Sequence, residues 1–459
     1  MKLQLRTYIV ACLVLASISA FARGDADNNA LVSQIVKLLS DPDREFRAAG
    51  LDAIRTSAKG AEQTKTFAAE LPKLSADAQV ALIVALADRG DSVARPAILE
   101  QLASKEESVR ATVLTALGEI GGASEIPVLI KALGAGSNSE QQSARNALIR
   151  MRDATVAKTI ASESKTATPQ VRSKMIDVLA GRRAMSEVPV IVAATTDKEG
   201  GVRNTAMNAL GLIGQPDQLA AMLPGVLMAT RGGERDNAER NVVEVCRRIA
   251  NENERGDALI AALGTVGTEQ RDELMSLVGR VGGKRLIKFV ADIATGSDAA
   301  RRSFGIDALS KWPDSSPADT LLEIAKSTTD AGERRQTFAA FVKVCASRDS
   351  RNDRQRLERM KQAMKEARNA EEKSAVINRT RTAYDVESMR FVRSYLDEPE
   401  FAQIACETIV ELAHHRQVRD PHKEEFDAVL DKVIKLAKND EWIERANHYK
   451  RGETWERKK

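Results

Sequence analysis

Arginines recur at regular intervals in the first half of the chain, and a row of guanidinium groups is chemistry that suits an anionic polymer. The repeated positions are Arg47, Arg110, Arg172 and Arg203, and glutamines at 79 and 141 keep the interval at 31 or 32 residues. One interpretation is therefore a row of cations that binds a polyanion. The sequence alone does not require it, because arginines at a fixed interval also arise when a structural unit is repeated.

Other reactive residue types are sparse. The histidines all lie near the C-terminus, at 414, 415, 422 and 448. We expect His414 and His415 to end a helix, where a cation complements the helix dipole, although His422 with Glu424 would offer two metal ligands. The glycine runs at 264–267 and 279–283 resemble dinucleotide loops, but no strand pattern precedes them, so we interpret them as helix C-caps. The sequence predicts no catalytic group, cofactor or metal site.

The elements that position the arginines are helices. Between Glu107 and Gly121, apolar residues recur at the spacing of one helical face, and Gly121 follows where a left-handed C-cap favours glycine. The same pattern returns at about 31-residue intervals, and no segment shows the alternation of a strand. We therefore predict an all-α fold, a right-handed α-solenoid of about twelve two-helix repeats.

The first 22 residues have the layout of a secretory signal peptide. Lys2 and Arg6 precede an uncharged apolar run, and a small-x-small site ends at Ala22. Cleavage after Ala22 would give an exported protein, periplasmic or extracellular, whose mature chain has no transmembrane segment. Cys246, Cys345 and Cys406 lie in apolar helical patterns, which indicates buried thiols rather than a disulfide framework.

Changes in composition predict the remaining boundaries. The expected segments are a signal peptide at 1–22, the repeats at 23–346, a charged connecting helix at 347–373, degenerate helical repeats with a cap at 374–451, and a frayed charged tail at 452–459.

A family resemblance follows from the repeated motif. Val109-Arg110 with Ala116 to Gly121, and Val202-Arg203 with Ala209 to Gly214, resemble HEAT repeats. They are most similar to the short bacterial variety of the phycobiliprotein-lyase type. The resemblance implies that the repeated arginines bond an acidic residue or a carbonyl group of the adjoining repeat. It therefore favours a structural inter-repeat ladder over anion binding.

The remaining candidates lie on the second helix of each pair, opposite the core pattern, where such repeats usually form a concave face. The candidate binding residues are Lys174, Asp177, Asn204, Asn208, Arg240, Glu244, Arg247, Asp272 and Arg280. They are polar and of mixed sign, which favours a protein or a polar polymer as partner. Without the leader, 67 basic residues face 65 acidic ones, a balance that argues against nucleic acid.

These observations predict an exported, non-catalytic scaffold that binds another macromolecule without a cofactor. Two alternatives stay open at this point: an enzyme-accessory protein that handles a prosthetic group, as the lyase-type resemblance implies, and a structural array in an envelope assembly.

Overall fold

The structure, a computed structural model, describes residues 25–57 and 59–456. Within these residues the secondary structure is helical throughout, with no β-strand, so the predicted all-α solenoid class is confirmed. The proposed signal peptide lies outside the described residues. The chain divides after Gly214 into two compact units.

The first unit is a series of helix pairs, and we call the two members of each pair its first and its second helix. Its first helices are α1 (Asp25–Leu39), α3 (Ala61–Ala68), α5 (Arg95–Glu100), α7 (Ile126–Ala135), α9 (Val156–Ser164) and α11 (Val188–Ala194). Its second helices are α2 (Arg44–Thr56), α4 (Ala76–Arg89), α6 (Glu107–Ile120), α8 (Asn138–Arg150), α10 (Pro169–Gly181) and α12 (Gly200–Ile213).

The second unit continues this alternation up to the C-terminus. Its helices are α13 (Leu219–Met228), α14 (Gly233–Cys246), α15 (Glu252–Leu263), α16 (Thr268–Glu273), α17 (Met275–Val281), α18 (Lys284–Ala294), α19 (Ala299–Ser310), α20 (Ala318–Ser327), α21 (Ala331–Cys345), α22 (Asp353–Glu366), α23 (Ala370–Thr380), α24 (Val386–Arg393), α25 (Ala402–His414), α26 (Arg416–Arg419), α27 (Lys423–Leu436) and α28 (Asp440–Lys450). Helices α16 and α17 together replace a single second helix.

Burial of one helical face holds each unit together. In α6, Val109, Val113 and Leu117 are fully buried, and α6 packs against both α4 and α8, the second helices of the neighbouring repeats. Helix starts are fixed by short polar side chains: Ser137 and Glu140, for example, form a reciprocal capping box at the start of α8. A single pair cannot cover its own apolar face, so each pair is stabilised by its neighbours.

Two glycines of the α6 motif are required for steric reasons, and one of them, Gly121, was predicted to have another role. Gly121 has an extended backbone (φ −72°) rather than the left-handed conformation expected of it. A Cβ atom there would lie 2.3 Å from the carbonyl oxygen of Leu117, so the residue is small for steric reasons. Gly118 lies inside α6, where a Cβ would meet the Cα of Ala147 in α8 at 2.8 Å. A close approach to the last turn of its own helix explains Gly121, and close packing against α8 explains Gly118.

The C-terminal part of the chain is more regular than predicted. Helix α22, expected to be a connecting element, buries Leu357, Met360 and Ala363 and packs against α23 as the first helix of an ordinary pair. Trp455, in the tail expected to fray, packs against the C-terminal core, and the guanidinium of Arg445 lies 5.3 Å from its ring centroid. An aromatic ring docked on the core holds residues 452–456 against the preceding helix.

Across the two described stretches, each helix is too short or too polar to cross a bilayer.

Candidate binding surface

The exposed face of the second helices in the first unit is rich in uncharged polar side chains. We call this set of residues on α6, α8, α10 and α12 the unit-1 polar row; the members are Ser108, Thr112, Thr115, Ser139, Gln142, Asn146, Ser173, Thr205 and Asn208. The hydroxyl groups of Thr112 and Thr205 donate to carbonyl groups of their own helices, at 2.7 and 3.0 Å. Their oxygen lone pairs remain as outward acceptors, so the row offers hydrogen bonds without net charge.

A groove of about 350 Å³ opens between α10 and α12, at one end of this row. Three of the nine predicted binding residues, Lys174, Asp177 and Asn208, line it together with Ser173, Thr205 and Leu212. Leu212 is 59% exposed, more than the other large apolar side chains that stand out from the described surface. Asn204 lies on the same helix and does not line the groove.

The charged members of the groove are held by neighbouring repeats. The ammonium of Lys174 donates to the carbonyl oxygen of Leu133, at 3.1 Å, and to the side-chain oxygen of Gln141. Asp177 forms an ion pair with Arg145 of α8. Both residues therefore connect adjacent repeats, and neutral polar side chains together with Leu212 form the rest of the groove lining.

The structure separates the five candidates of the second unit into two groups. Arg240 and Glu244 are exposed on α14, Arg247 is exposed directly after it, and Glu244 pairs with Arg247 at 2.8 Å. Arg280, on α17, instead lies between two carboxylates: its Nε is 2.8 Å from Glu239, and its Nη2 pairs with Asp236. Since Glu239 is almost fully buried, Arg280 has a structural role.

Asp272 is buried, whereas the sequence predicts it on an exposed face. It is only 6% exposed, and both of its carboxylate oxygens accept hydrogen bonds from Arg301, at 2.8 and 3.2 Å. The prediction assumed one continuous helix, whereas the chain breaks at Leu274 between α16 and α17. The carboxylate of Asp272 is bound by Arg301 of the next repeat and does not face solvent.

The four repeated arginines bind the loop that joins the two helices of their own repeat. Arg47 donates to the carbonyl groups of Asp41 and Pro42, and Arg203 to those of Asp197 and Lys198, at 2.6–3.0 Å.

Arg110 and Arg172 also reach the next repeat. Arg110 donates to Ser104 and Lys105 in its own loop and places its Nε 2.6 Å from Glu140. Arg172 likewise donates to Ala167 and pairs with Asp197. An inter-repeat tie is thus present at Arg110 and Arg172, while the recurring contact common to all four arginines is internal to the repeat.

The repeating unit matches a known sequence family. Residues 64–149 and 158–243 match the sequence profile of the HEAT repeats family. The chain contains HEAT repeats. No curated protein matches the sequence.

Solved structures with a similar arrangement include the karyopherin Kap121p. Kap121p bound to the extreme C-terminus of the protein phosphatase Cdc14p has a TM-score of 0.47 at 10% identity, covering 93% of this chain and 54% of that one. Kap121p bound to the SUMO protease Ulp1p has a TM-score of 0.47 at 11% identity, covering 96% and 57%. The present chain thus spans little more than half the length of Kap121p.

The HEAT repeats carry a second set of arginine ties that sequence reasoning missed. Arg89, at the end of α4, donates to the carbonyl groups of Ile54 and Ser57 at the end of α2. Arg182, directly after α10, makes the same contact with the end of α8 through Ile149 and Met151. These guanidinium groups satisfy carbonyls that a helix leaves without partners at its C-terminus. The 93-residue interval between the two arginines, three repeat lengths, was the available signal.

The histidines lie in packing contacts among the C-terminal helices. His414 shares a hydrogen bond of 3.0 Å with the hydroxyl of Tyr449, and His415 lies against the ring of Tyr384 with centroids 3.8 Å apart. Desolvation lowers the pKa of His415. His422 approaches Glu425 at 4.0 Å, and the part of the chain that the structure describes has no group of three metal-ligating side chains.

Proposed function

We propose that this HEAT-repeat chain is a non-catalytic scaffold that binds an extended segment of a partner protein along the unit-1 polar row. The observation that carries the proposal is the continuity of neutral hydrogen-bonding side chains across α6, α8, α10 and α12.

The spacing of the helices suits a polypeptide backbone. Packed helices lie about 8–10 Å apart, and a polyproline II segment, with three residues per turn, rises about 3.1 Å per residue. Side chains at equivalent positions of successive helices would therefore meet every third residue of a peptide. Each peptide residue offers one donor and one acceptor, and the amides and hydroxyls of the row can satisfy both.

Leu212 supports a polypeptide ligand in particular. The groove between α10 and α12 combines this exposed apolar side chain with the polar atoms of Ser173 and Asn208. Such a mixture fits a peptide that inserts one apolar side chain while its backbone is hydrogen-bonded. The charges nearby are paired across repeats, so the surface does not favour a highly charged polymer.

Selection of peptides from a random display library on the immobilised chain tests the proposal. We expect enriched peptides with an apolar anchor, and we expect Leu212→Glu to weaken them by about tenfold, since it places a charge in an apolar contact. Met185→Glu is the matched control, because Met185 is also exposed, at 47%, but lies outside the groove. No enrichment, or equal loss in both variants, would contradict the proposal.

A further inference from the structure

A row of cations crosses the second helices of the second unit. The row consists of Arg280 on α17, Lys311 directly after α19, Lys343 on α21 and Arg379 on α23, and we call these four residues the unit-2 basic row. Successive members are separated by 31, 32 and 36 residues, close to the repeat length. They therefore occupy equivalent positions in consecutive repeats.

The two halves of this row differ in their partners. Lys311 pairs with Asp307 at 2.8 Å, and Arg280 pairs with Glu239 at 2.8 Å, so charge at this end is compensated. Lys343 and Arg379 are exposed, and neither side chain makes an ion pair or a hydrogen bond to another residue in 25–57 or 59–456. Uncompensated positive charge is thus concentrated on α21 and α23.

The other cations of the row lie close enough to Lys343 to affect its ammonium group. Partial desolvation is the main cause of a lowered pKa for its ammonium group. Asp307 opposes this shift, whereas the charges of Lys311, Arg379 and Arg280 add to it. Mutual repulsion of this kind is relieved when a bound anion approaches.

We propose that the unit-2 basic row binds an acidic, extended segment of a partner protein, with Lys343 and Arg379 as its principal contacts. This surface is separate from the unit-1 polar row, so the proposal goes beyond the function proposed above and does not depend on it.

The geometry of the row fits carboxylates carried on an extended polypeptide. Helices about 8–10 Å apart match acidic side chains placed at every third residue of a polyproline II segment, which rises about 3.1 Å per residue and has three residues per turn. Phe304, 40% exposed on α19, and Ala339, exposed on α21, add a small apolar border beside the cations. The uncompensated positive charge covers only α21 and α23, and the whole chain has a net charge of only +4. Both facts favour a peptide over a nucleic acid as the ligand.

Fluorescence anisotropy with a synthetic peptide that carries glutamate at every third position tests this inference on the full chain. We expect binding at low ionic strength that weakens as salt is added, because the contacts are exposed charges. Lys343→Glu combined with Arg379→Glu should reduce affinity by about tenfold or more, since two attractive contacts become repulsive. The corresponding glutamine peptide should bind weakly to every variant.

The matched control reverses two exposed lysines of α18, a first helix of the same unit, as Lys284→Glu with Lys288→Glu, and so makes the same change in net charge outside the row. Affinity for the acidic peptide should then change by less than about twofold, because charges beyond a Debye length are screened. An equal loss in both double variants would overturn the inference, as would no binding by the wild-type chain. Stronger binding of a single-stranded oligonucleotide of the same charge would overturn the choice of a protein segment.

Discussion

The guanidinium group of Arg182 donates a hydrogen bond of 2.9 Å to the carbonyl oxygen of Met151, the residue that follows the second helix of the preceding repeat. The same group also reaches the carbonyls of Leu148 and Ile149. One side chain thereby caps a helix of another repeat. The stability of this chain thus depends on side-chain-to-backbone hydrogen bonds between repeats as well as on the shared apolar core.

Removal of this cap should destabilise the first unit. Arg182→Met keeps much of the apolar stem but leaves several carbonyl groups without a donor, so we expect a loss of about 2–3 kcal/mol in the free energy of unfolding. Urea denaturation followed by circular dichroism measures this loss in the free energy of unfolding. Arg152→Met is the matched control, because Arg152 is exposed on the adjacent loop, and should change stability by less than about 0.5 kcal/mol.

Asp349 should make the stability of the second unit depend on pH. It accepts hydrogen bonds from Arg351, at 2.8 and 3.0 Å, and from the backbone N–H of Ser315, and these contacts hold its pKa at about 2 despite its partial burial. Because the folded pKa lies below the ordinary value of 3.8, the stabilisation is complete above about pH 4 and is lost as the pH falls towards 2. A shift of this size corresponds to about 2 kcal/mol.

The variant Asp349→Asn tests this dependence. It should be less stable than the wild type by about 2 kcal/mol at pH 7, and the difference should shrink at pH 2–3, where the wild-type carboxylate is itself being protonated. Asp292→Asn removes an exposed carboxylate on α18 and serves as control. A constant difference between the Asp349 variant and the wild type across this pH range would disprove the assignment.

The repeat and its core were predictable because apolar periodicity is a property of side chains, which the sequence displays directly. The apolar spacing between Glu107 and Gly121 predicts one buried face, and Val109, Val113 and Leu117 of this stretch are fully buried. The acceptors of Arg89 and Arg182 were not predictable in the same way, since every residue has a carbonyl group and none leaves a signal in the sequence.

The candidate surface was predicted in part. Lys174, Asp177 and Asn208 do line one groove, because α10 and α12 are regular helices whose phase can be extrapolated from the core pattern. Asp272 was misplaced where a helix breaks at Leu274, and Arg280 where a buried carboxylate, Glu239, takes it as a partner. Helix breaks and buried ion pairs depend on tertiary contacts. The residue pattern along a single helix does not show those contacts.

The three cysteines of the helical region should be unreactive while the protein is folded. Cys246, Cys345 and Cys406 are buried and free, and desolvation raises their pKa values to about 12, 12 and 11. Because the thiolate is the reactive form, iodoacetamide at pH 8 should leave all three unmodified, as read by mass spectrometry of their peptides. Full modification is expected in denaturant. Rapid modification of any one under native conditions would show that its repeat opens locally.

Close contacts between second helices should make two glycines intolerant of any side chain. In Gly118→Ala the new methyl group would lie 2.8 Å from the Cα of Ala147, and in Gly279→Ala it would lie 2.1 Å from the carbonyl oxygen of Ala308. Both of these neighbouring atoms belong to the backbone, so a whole helix must move. We expect the free energy of unfolding to fall by about 1–3 kcal/mol, with the larger loss at Gly279.

Gly201→Ala is the control, because no atom lies within 4 Å of its added methyl group. That variant should gain up to about 1 kcal/mol, since alanine favours a helix over glycine. If all three substitutions shifted stability in the same direction, helix propensity rather than packing would govern these positions.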